Sequence, residues 1–271
     1  IETNSIHAME TAISTVNTYF IAEPVFRWML IGWALIALIL FFVLLLIPAP
    51  YGRHLRSGWG PRVPSGLNWF MMELPAVFVF VVAFVQSLPH SKITWWYCGL
   101  WNLHYGYRSL VYPWLVRGSR SMPVTLTLGG IVYNTVNGFL QSASVCWFGT
   151  HLHGEGWAVD AAMIAGCVLF FTGFAIHVYA DMQLQQLRKM HGPEYHAPQG
   201  GMYRLISCPN YFGEVIEWIG WAMLTWSPAG LVFALWTAAN LIPRAVASHK
   251  WYRNCFADYP RDRKAILPFI L

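Results

Sequence analysis

Seven runs of roughly 20 mainly apolar residues, separated by short polar segments, dominate this chain of 271 residues. A helix needs about 20 apolar residues to cross the hydrocarbon of a bilayer. Only 11% of the residues are charged and 56% are hydrophobic, whereas a soluble domain carries about 25% charge. The sequence therefore predicts an all-α integral membrane protein, a seven-transmembrane helix bundle. The predicted spans are 25–47, 67–88, 95–116, 123–148, 158–187, 210–226 and 228–248.

The basic residues of the loops predict the orientation of the bundle. When the loops are assigned alternately to the two sides, one side receives nearly all arginines and lysines, and the other only Arg27 and Lys92. This asymmetry is the positive-inside pattern. It predicts an N-terminus outside, a cytosolic C-terminus and a multi-pass location in a bacterial inner membrane or the endoplasmic reticulum membrane. Because the basic residues lie in loops, they do not indicate binding of nucleic acid.

No internal repeat divides the chain. We expect an N-terminal segment, 1–24, and one seven-helix membrane domain, 25–271, that acts as a monomer in contact with membrane lipid. The polar motifs concentrate in its C-terminal half. No metal site is expected, because His151 and His153 form the only close histidine pair and have no neighbouring ligand spacing. The sequence also lacks the glycine-rich nucleotide motifs G-x-G-x-x-G and G-x-x-x-x-G-K-[ST].

The most informative polar segment is 198–218, PQGGMYRLISCPNYFGEVIEW. Its Pro-Gln-Gly-Gly start predicts a break in regular structure. Asn210, Glu214 and Glu217 follow in or beside an apolar span, and the two glutamates share a helix face. A carboxylate at membrane depth is retained mainly where it faces protein or water. The segment therefore predicts a polar ligand held inside the bundle.

Two further groups of polar residues lie within earlier spans. Glu73 precedes Pro75, and the cost of burying its charge favours a protonated carboxyl that can donate a hydrogen bond. Tyr105, Arg108 and Tyr112 form one polar stripe on the third span. A tyrosine hydroxyl that faces a buried carboxyl would polarise a carbonyl oxygen, although Glu73 and Arg108 would also fit a structural ion pair.

Seven polar residues gather at the predicted cytosolic side: Asp181, Arg188, Asn210, Arg244, His249, Tyr252 and Arg263. Arginine forks match phosphate oxygens and so favour a bound anion. Basic residues at the cytosolic side also arise from membrane topology alone and from contact with anionic lipids. Neither of these causes requires Asn210 and Asp181 at the same place.

Taken in order, these residues resemble the steroid 5α-reductase family. The resemblance covers most of the chain from Glu73 to Leu271. Its motifs are Glu73-Leu-Pro75, His104-Tyr105 with Arg108 and Tyr112, Asp181…Arg188, Pro198-Gln-Gly-Gly201, Asn210-Tyr-Phe-Gly-Glu214-x-x-Glu217-Trp218 and Asp258-Tyr-Pro-x-x-Arg263.

The resemblance implies an NADPH-dependent membrane reductase of the Δ4 double bond of 3-ketosteroids or similar apolar enones. It implies that Glu73 and Tyr105 bind the 3-keto oxygen. Residues 25–148 would build mainly the substrate cavity, and residues 158–271 would build mainly the cofactor site. The implied cofactor residues are Tyr112, Asp181, Arg188, Tyr195, Asn210, Glu214, Arg244, His249, Tyr252 and Arg263. The chain departs from the family pattern at His177 and His196.

Three alternatives remain open from the residues. A membrane methyltransferase of the isoprenylcysteine carboxyl type would hold S-adenosylmethionine at similar C-terminal helices. A sterol double-bond reductase would use related chemistry. A transporter or receptor would require a polar path across the membrane, whereas the polar residues here crowd one side.

Overall fold

The structure is a computed structural model that describes residues 2–89, 91–116, 121–148, 161–192 and 194–271, with side chains described from residue 23 onward. Within these ranges the chain forms seven long helical segments, and each predicted span overlaps one of them. Their helices are α1 Glu2–Leu46, α2 Ser65–Gln86, α3 Lys92–Gly106, α4 Tyr112–Leu115, α5 Val124–Ala143, α6 Ala161–His191, α7 Pro209–Thr225 and α8 Pro228–Cys255. A π-helical turn, Tyr107–Val111, joins α3 to α4, and another, Ser144–Phe148, extends α5.

Four helices are long and apolar enough to cross a membrane among the described residues: Glu23–Leu46, Ser65–Gln86, Ala161–His191 and Pro228–Cys255. The all-α membrane protein expected from the sequence is thus confirmed. α3 and α7, with 15 and 17 residues, are shorter than a usual span. The loop with His151 and His153 lies outside the described residues.

Four glycines allow α6 and α7 to pack backbone against backbone in an antiparallel pair. Gly166 and Gly173 lie seven residues apart on α6, as do Gly213 and Gly220 on α7. A Cβ atom at Gly173 would lie 2.3 Å from the backbone nitrogen of Glu217, and one at Gly213 would lie 2.5 Å from that of His177. Small residues permit such close approach of membrane helices. The contact fixes the positions of the polar residues on both helices.

Tryptophans connect the remaining helices through both packing and hydrogen bonds. Trp101 and Trp221 are fully buried in the main apolar cluster. The Trp101 indole donates to the Ala76 carbonyl of α2 at 3.0 Å, and the Trp221 indole donates to Gln141 of α5 at 2.9 Å. These bonds satisfy buried N–H groups that would otherwise cost stability. They tie α2, α3, α5 and α7 into one bundle.

The C-terminal tail packs beside the segment that leads into α7. Ser207 N donates to the Lys264 carbonyl at 2.8 Å, and Lys264 N donates to the Leu205 carbonyl at 2.9 Å. The break predicted at Pro-Gln-Gly-Gly is confirmed, because Gly200 has φ 93° and Gly201 has φ 51° before a 3₁₀ turn. Loop and tail together close the end of the bundle at which α7 begins.

Candidate active site

A cavity of about 500 Å³ lies inside the bundle, within the size range of ligand sites. Residues from α1 to α8 and from the loop after α1 line it. Ten of the twelve site residues expected from the sequence reach its wall: Glu73, Tyr105, Tyr112, Asp181, Arg188, Tyr195, Asn210, Glu214, Arg244 and Tyr252.

Glu73 is held at one end of the cavity by two neighbouring helices. Its Oε1 lies 3.2 Å from Arg108 Nη2, and its Oε2 accepts a hydrogen bond from the Asn134 amide at 3.1 Å. The same Asn134 amide donates to the Met72 carbonyl at 2.6 Å, which fixes the asparagine against α2. The carboxyl is therefore buried, oriented and open to a ligand in the cavity.

Tyr105 lies on α3 in the same region. It is 3% exposed, its ring packs on Trp101 and Trp218, and its electrostatic neighbours include Glu73 and Tyr133. Both Tyr105 and Tyr133 line the cavity. This end thus combines an apolar aromatic wall with a carboxyl and two phenols.

Arg108 lies between the two ends of the cavity and faces three carboxyl groups from three helices. Its guanidinium is 3.2 Å from Glu73, 3.7 Å from Asp181 and 3.9 Å from Glu214. It also stacks over the rings of Trp69 and Tyr112, at 4.3 and 4.8 Å. The π-helical turn carries Arg108, and such turns are frequent at functional sites. The predicted stripe is confirmed, because Tyr105, Arg108 and Tyr112 all line the cavity.

Asp181 and Asn210 join α6 to the start of α7. The Asn210 amide donates to Asp181 Oδ1 at 2.9 Å. Asp181 Oδ2 lies 3.3 Å from His177 Nε2, one turn earlier on α6. The expected proximity of Asp181, Asn210 and Glu214 is thus present.

Arg53 and Arg244 supply positive charge at the cavity wall. Arg53 stacks over Tyr252 at 4.2 Å and over Trp251 at 4.9 Å, and Arg244 stacks over Tyr51 at 4.6 Å. Among the residues that the structure describes, neither guanidinium has a carboxylate within 4.0 Å. Arg53 Nη1 and Arg244 Nε are buried without a hydrogen-bond partner. Both residues are only half-buried, and Arg244 Nη1 donates to Asn240 at 3.3 Å, but cations without a facing carboxylate fit an anionic ligand.

Two other groups at the wall are neutral at pH 7. Burial, followed by the nearby charges of Arg53 and Arg56, lowers the pKa of His54 from its usual value. Burial raises the pKa of the Cys208 thiol to about 12, against a smaller opposing effect of Arg53. These two side chains therefore add no charge of their own to the wall, and the Cys208 thiol is not a reactive thiolate.

His249 and Arg263, the remaining expected cofactor residues, do not line the cavity. His249 Nδ1 lies 2.6 Å from the hydroxyl of Ser207, which does line it. Arg263 donates to the Pro198 carbonyl at 3.2 Å and to Gln199 at 3.1 Å. Both residues thus act on the cavity through the loop and segment that they hold.

Sequence reasoning missed several wall residues, above all Arg53, which it read only as a topological charge. Trp69, Tyr133 and Asn134 were missed because each lies in an ordinary apolar span. A local signal did exist for Arg53: it follows Gly52, at the start of a 3₁₀ turn after Pro48-Ala-Pro50. Gly52 has φ +57°, which favours glycine.

Comparison with known proteins identifies the relatives of this chain. Residues 120–271 match the family model described as 3-oxo-5-alpha-steroid 4-dehydrogenase. The chain is 38% identical over 235 residues to Steroid 5-alpha-reductase DET2 of Arabidopsis thaliana, covering 83% of this chain and 88% of that protein. It is 34% identical over 241 residues to 3-oxo-5-alpha-steroid 4-dehydrogenase 1 of Bos taurus, covering 87% and 93%. The human protein of the same name is 35% identical over 227 residues, covering 81% and 85%.

Proposed function

This chain belongs to the steroid 5α-reductase family and is an oxidoreductase acting on CH–CH bonds, and from that premise we propose that it reduces the Δ4 double bond of 3-ketosteroids with NADPH. The family favours this reaction over the methyltransferase alternative. The observation that carries the proposal is one cavity whose wall holds both a carboxyl–phenol pair, Glu73 and Tyr105, and half-buried arginines that face no carboxylate among the described residues, Arg53 and Arg244.

The wall chemistry fits a dinucleotide phosphate. Arg53 and Arg244 are half-buried cations that face no carboxylate among the described residues, and Arg188 also lines the cavity. Aromatic side chains around them, Tyr195, Trp251 and Tyr252, offer stacking surfaces. The phosphate oxygens would be bound by Arg53, Arg188 and Arg244. In the Asp181–Asn210 pair, Asp181 would accept a hydrogen bond from the nicotinamide half of the cofactor, and Asn210 would donate one to it. When bound, NADPH supplies the hydride that adds to C5 of the enone.

Glu73 and Tyr105 would polarise the substrate. As charge moves from C4=C5 toward the C3 oxygen, a protonated Glu73 and the Tyr105 hydroxyl would donate hydrogen bonds to that oxygen. Asn134 would hold the Glu73 carboxyl in place. The aromatic wall would exclude water and accept the apolar steroid rings.

The proposal includes the membrane arrangement. Seven spans, with the N-terminus outside and the C-terminus cytosolic, would place the arginine-rich wall toward the cytosol, where a soluble dinucleotide is available. The apolar helices would bring the steroid in from lipid. Residues 25–148 would then form mainly the substrate half and residues 158–271 mainly the cofactor half. A green fluorescent protein fused to the C-terminus should fluoresce in bacterial cytoplasm; a dark, full-length fusion would contradict this orientation.

The test is NADPH consumption by protein purified in lipid nanodiscs, with testosterone or progesterone as substrate. The product should gain two hydrogens by mass spectrometry. Glu73→Gln and Tyr105→Phe should each lower turnover by about 10²–10³, as loss of an oxyanion donor does, while NADPH affinity stays unchanged.

Matched variants outside the cavity control for folding. Glu23→Gln changes a half-buried glutamate that pairs with the exposed Arg27, and Tyr179→Phe changes an exposed tyrosine. Both should keep wild-type turnover. Full turnover in Glu73→Gln would reject the polarising role. Binding of S-adenosylmethionine without any steroid reduction would reject the proposed function.

A further inference from the structure

Two histidines and two acids form an alternating buried chain at the cavity wall, and the proposed function uses only Asp181 of the four. His104 Nδ1 lies 2.7 Å from Glu217 Oε1. Glu217 Oε2 lies 3.6 Å from His177 Nδ1, and His177 Nε2 lies 3.3 Å from Asp181 Oδ2. All four residues are at most 2% exposed. Buried charge of this density is costly unless each group is paired.

Both ends of this chain open into the cavity, whereas its middle does not. His104 and Asp181 line the cavity, but His177 and Glu217 lie behind its wall. The His104 ring packs against Tyr105, with centroids 4.9 Å apart. His104 is therefore placed beside the residue that would hold the C3 oxygen, and C4 is bonded to C3.

The ring nitrogens of His104 have different partners. A carboxylate oxygen only accepts hydrogen bonds, so Nδ1 donates to Glu217. Nε2 is then the nitrogen that can give a proton to a ligand. A histidine oriented through one nitrogen by a buried carboxylate is the usual arrangement of a general acid or base.

We propose that His104 is the proton donor to C4 of the steroid, and that Glu217, with His177 and Asp181 behind it, holds the imidazole ring in place. This inference rests on the proposed reduction. Hydride addition at C5 moves the C4=C5 electron pair into an enolate whose charge lies on the C3 oxygen. A C4–H bond then forms from that electron pair, the Nε2–H bond of the imidazolium breaks, and the C3 carbonyl is restored. The neutral imidazole keeps its Nδ1–H on Glu217 and regains a proton at Nε2 from water that enters the cavity when the product leaves.

Two contacts in this chain are longer than hydrogen bonds require. His177 Nδ1, His177 Nε2 and Glu217 Oε2 lack hydrogen-bond partners in good geometry, although ion-pair distances connect them. The 2.7 Å contact between His104 Nδ1 and Glu217 Oε1 is thus the shortest in the chain, and it is the one that orients the His104 ring.

His104, His177 and Glu217 are also close enough to be considered as a metal site. Two ligands of a tetrahedral zinc, each about 2.0–2.1 Å from the ion, are roughly 3.3 Å apart. His104 Nδ1 and Glu217 Oε1 are only 2.7 Å apart, which is a hydrogen-bond distance. The geometry favours a hydrogen-bonded pair over metal ligands.

The first test is His104→Gln in nanodiscs, because glutamine can still donate to Glu217 but cannot transfer a proton. Turnover should fall by about 10²–10⁴, the usual contribution of a general acid, with steroid KM and NADPH affinity unchanged. His191→Gln, at an exposed histidine, is the matched control and should keep wild-type turnover. Wild-type turnover in His104→Gln would overturn the proposal, as would a stoichiometric metal lost with this side chain.

The second test is the pH profile of Glu217→Gln. Loss of the carboxylate removes a group that stabilises a positive charge on the ring, so the deficit in turnover relative to the wild type should be smaller at lower pH. The other charged groups around His104 should remain the same in both proteins: Glu73 from α2, Arg108 on its own segment, His177 and Asp181 from α6, and Glu214 from α7. A deficit equal at every pH would indicate a structural role and overturn the proposal.

A third variant and a spectroscopic readout complete the design. His177→Asn keeps a hydrogen-bonding side chain beside Glu217, so turnover should fall less than in Glu217→Gln; an equal or larger fall would overturn the assignment of Glu217 as the residue that holds His104. Nitrogen-15 NMR of labelled histidine should show a signal that His104→Gln removes and Glu217→Gln shifts, because Nδ1 of His104 then loses its carboxylate acceptor; a signal that Glu217→Gln leaves unchanged would overturn this assignment. A wild-type protein that reduces no steroid would instead refute the proposed function itself.

Discussion

Gly173→Ala should disrupt the α6–α7 contact, on which the cavity depends. The new Cβ would lie 2.3 Å from Glu217 N, 2.5 Å from the Gly213 carbonyl oxygen and 2.7 Å from Glu217 Cα, whereas ordinary contacts begin at 3.4 Å. All three atoms belong to backbone, so no side chain can rotate away. The helices would have to separate by about 1 Å.

We expect this overpacking to cost about 3 kcal/mol, the upper part of the usual range. At about 2–4 °C per kcal/mol, the melting temperature should fall by about 6–12 °C. The assay is tryptophan fluorescence during heating in nanodiscs, at one scan rate. NADPH should also bind more weakly, because α6 carries Asp181 and α7 carries Asn210 and Glu214.

Two other glycines provide graded controls. At Gly166 the nearest atom is Leu224 Cγ at 2.9 Å, with backbone atoms at 3.1 Å, so alanine should cost less than at Gly173. At Gly99 a Cβ would meet nothing within 4 Å, so alanine should be neutral or slightly stabilising. A Gly173→Ala protein that melts within 2 °C of the wild type, or a Gly99→Ala protein that is equally destabilised, would refute the reasoning.

Three other predictions concern the arginines, the Asp181–Asn210 pair and the cysteines. Arg53→Ala should raise the NADPH Kd, measured by calorimetry, by about 10–150-fold, because a charged hydrogen bond is worth about 1.5–3 kcal/mol. Arg62→Ala, at an exposed arginine, should leave the Kd unchanged. If Arg53→Ala binds NADPH with the wild-type Kd, Arg53 does not belong to the cofactor site. Asn210→Ala should weaken NADPH binding by about tenfold or more, the typical cost of a lost buried hydrogen bond, before it lowers turnover at saturating cofactor. Cys208, with a pKa of about 12, should stay unlabelled by maleimide from pH 7 to 9, because the thiolate fraction remains small throughout, while exposed Cys255 reacts; mass spectrometry that finds rapid labelling of Cys208 would contradict its burial.

Much of the fold could be predicted from the sequence because the signal for each helix is local. An apolar run of sufficient length must satisfy its backbone groups internally wherever it meets lipid, and each of the seven predicted runs overlaps a helical segment. The break at Pro198–Gly201 was predictable for a similar reason, since proline and glycine act on their own backbone. Residues within one helix, such as Tyr105, Arg108 and Tyr112, could be assigned to one face from their spacing.

Contacts between distant segments were decided only by the tertiary structure. His104 and Glu217 are 113 residues apart, and nothing in the spacing of either predicts their hydrogen bond. The sequence indicated only a topological loop charge at Arg53, but in the fold this residue stacks over Tyr252. The sequence also predicted Arg263 as a cofactor residue, but in the fold it donates a hydrogen bond to the Pro198 carbonyl. Local periodicity determines which face of a helix is polar. Which helix that face meets depends on packing, and here the glycines of α6 and α7 set that packing by admitting backbone against backbone.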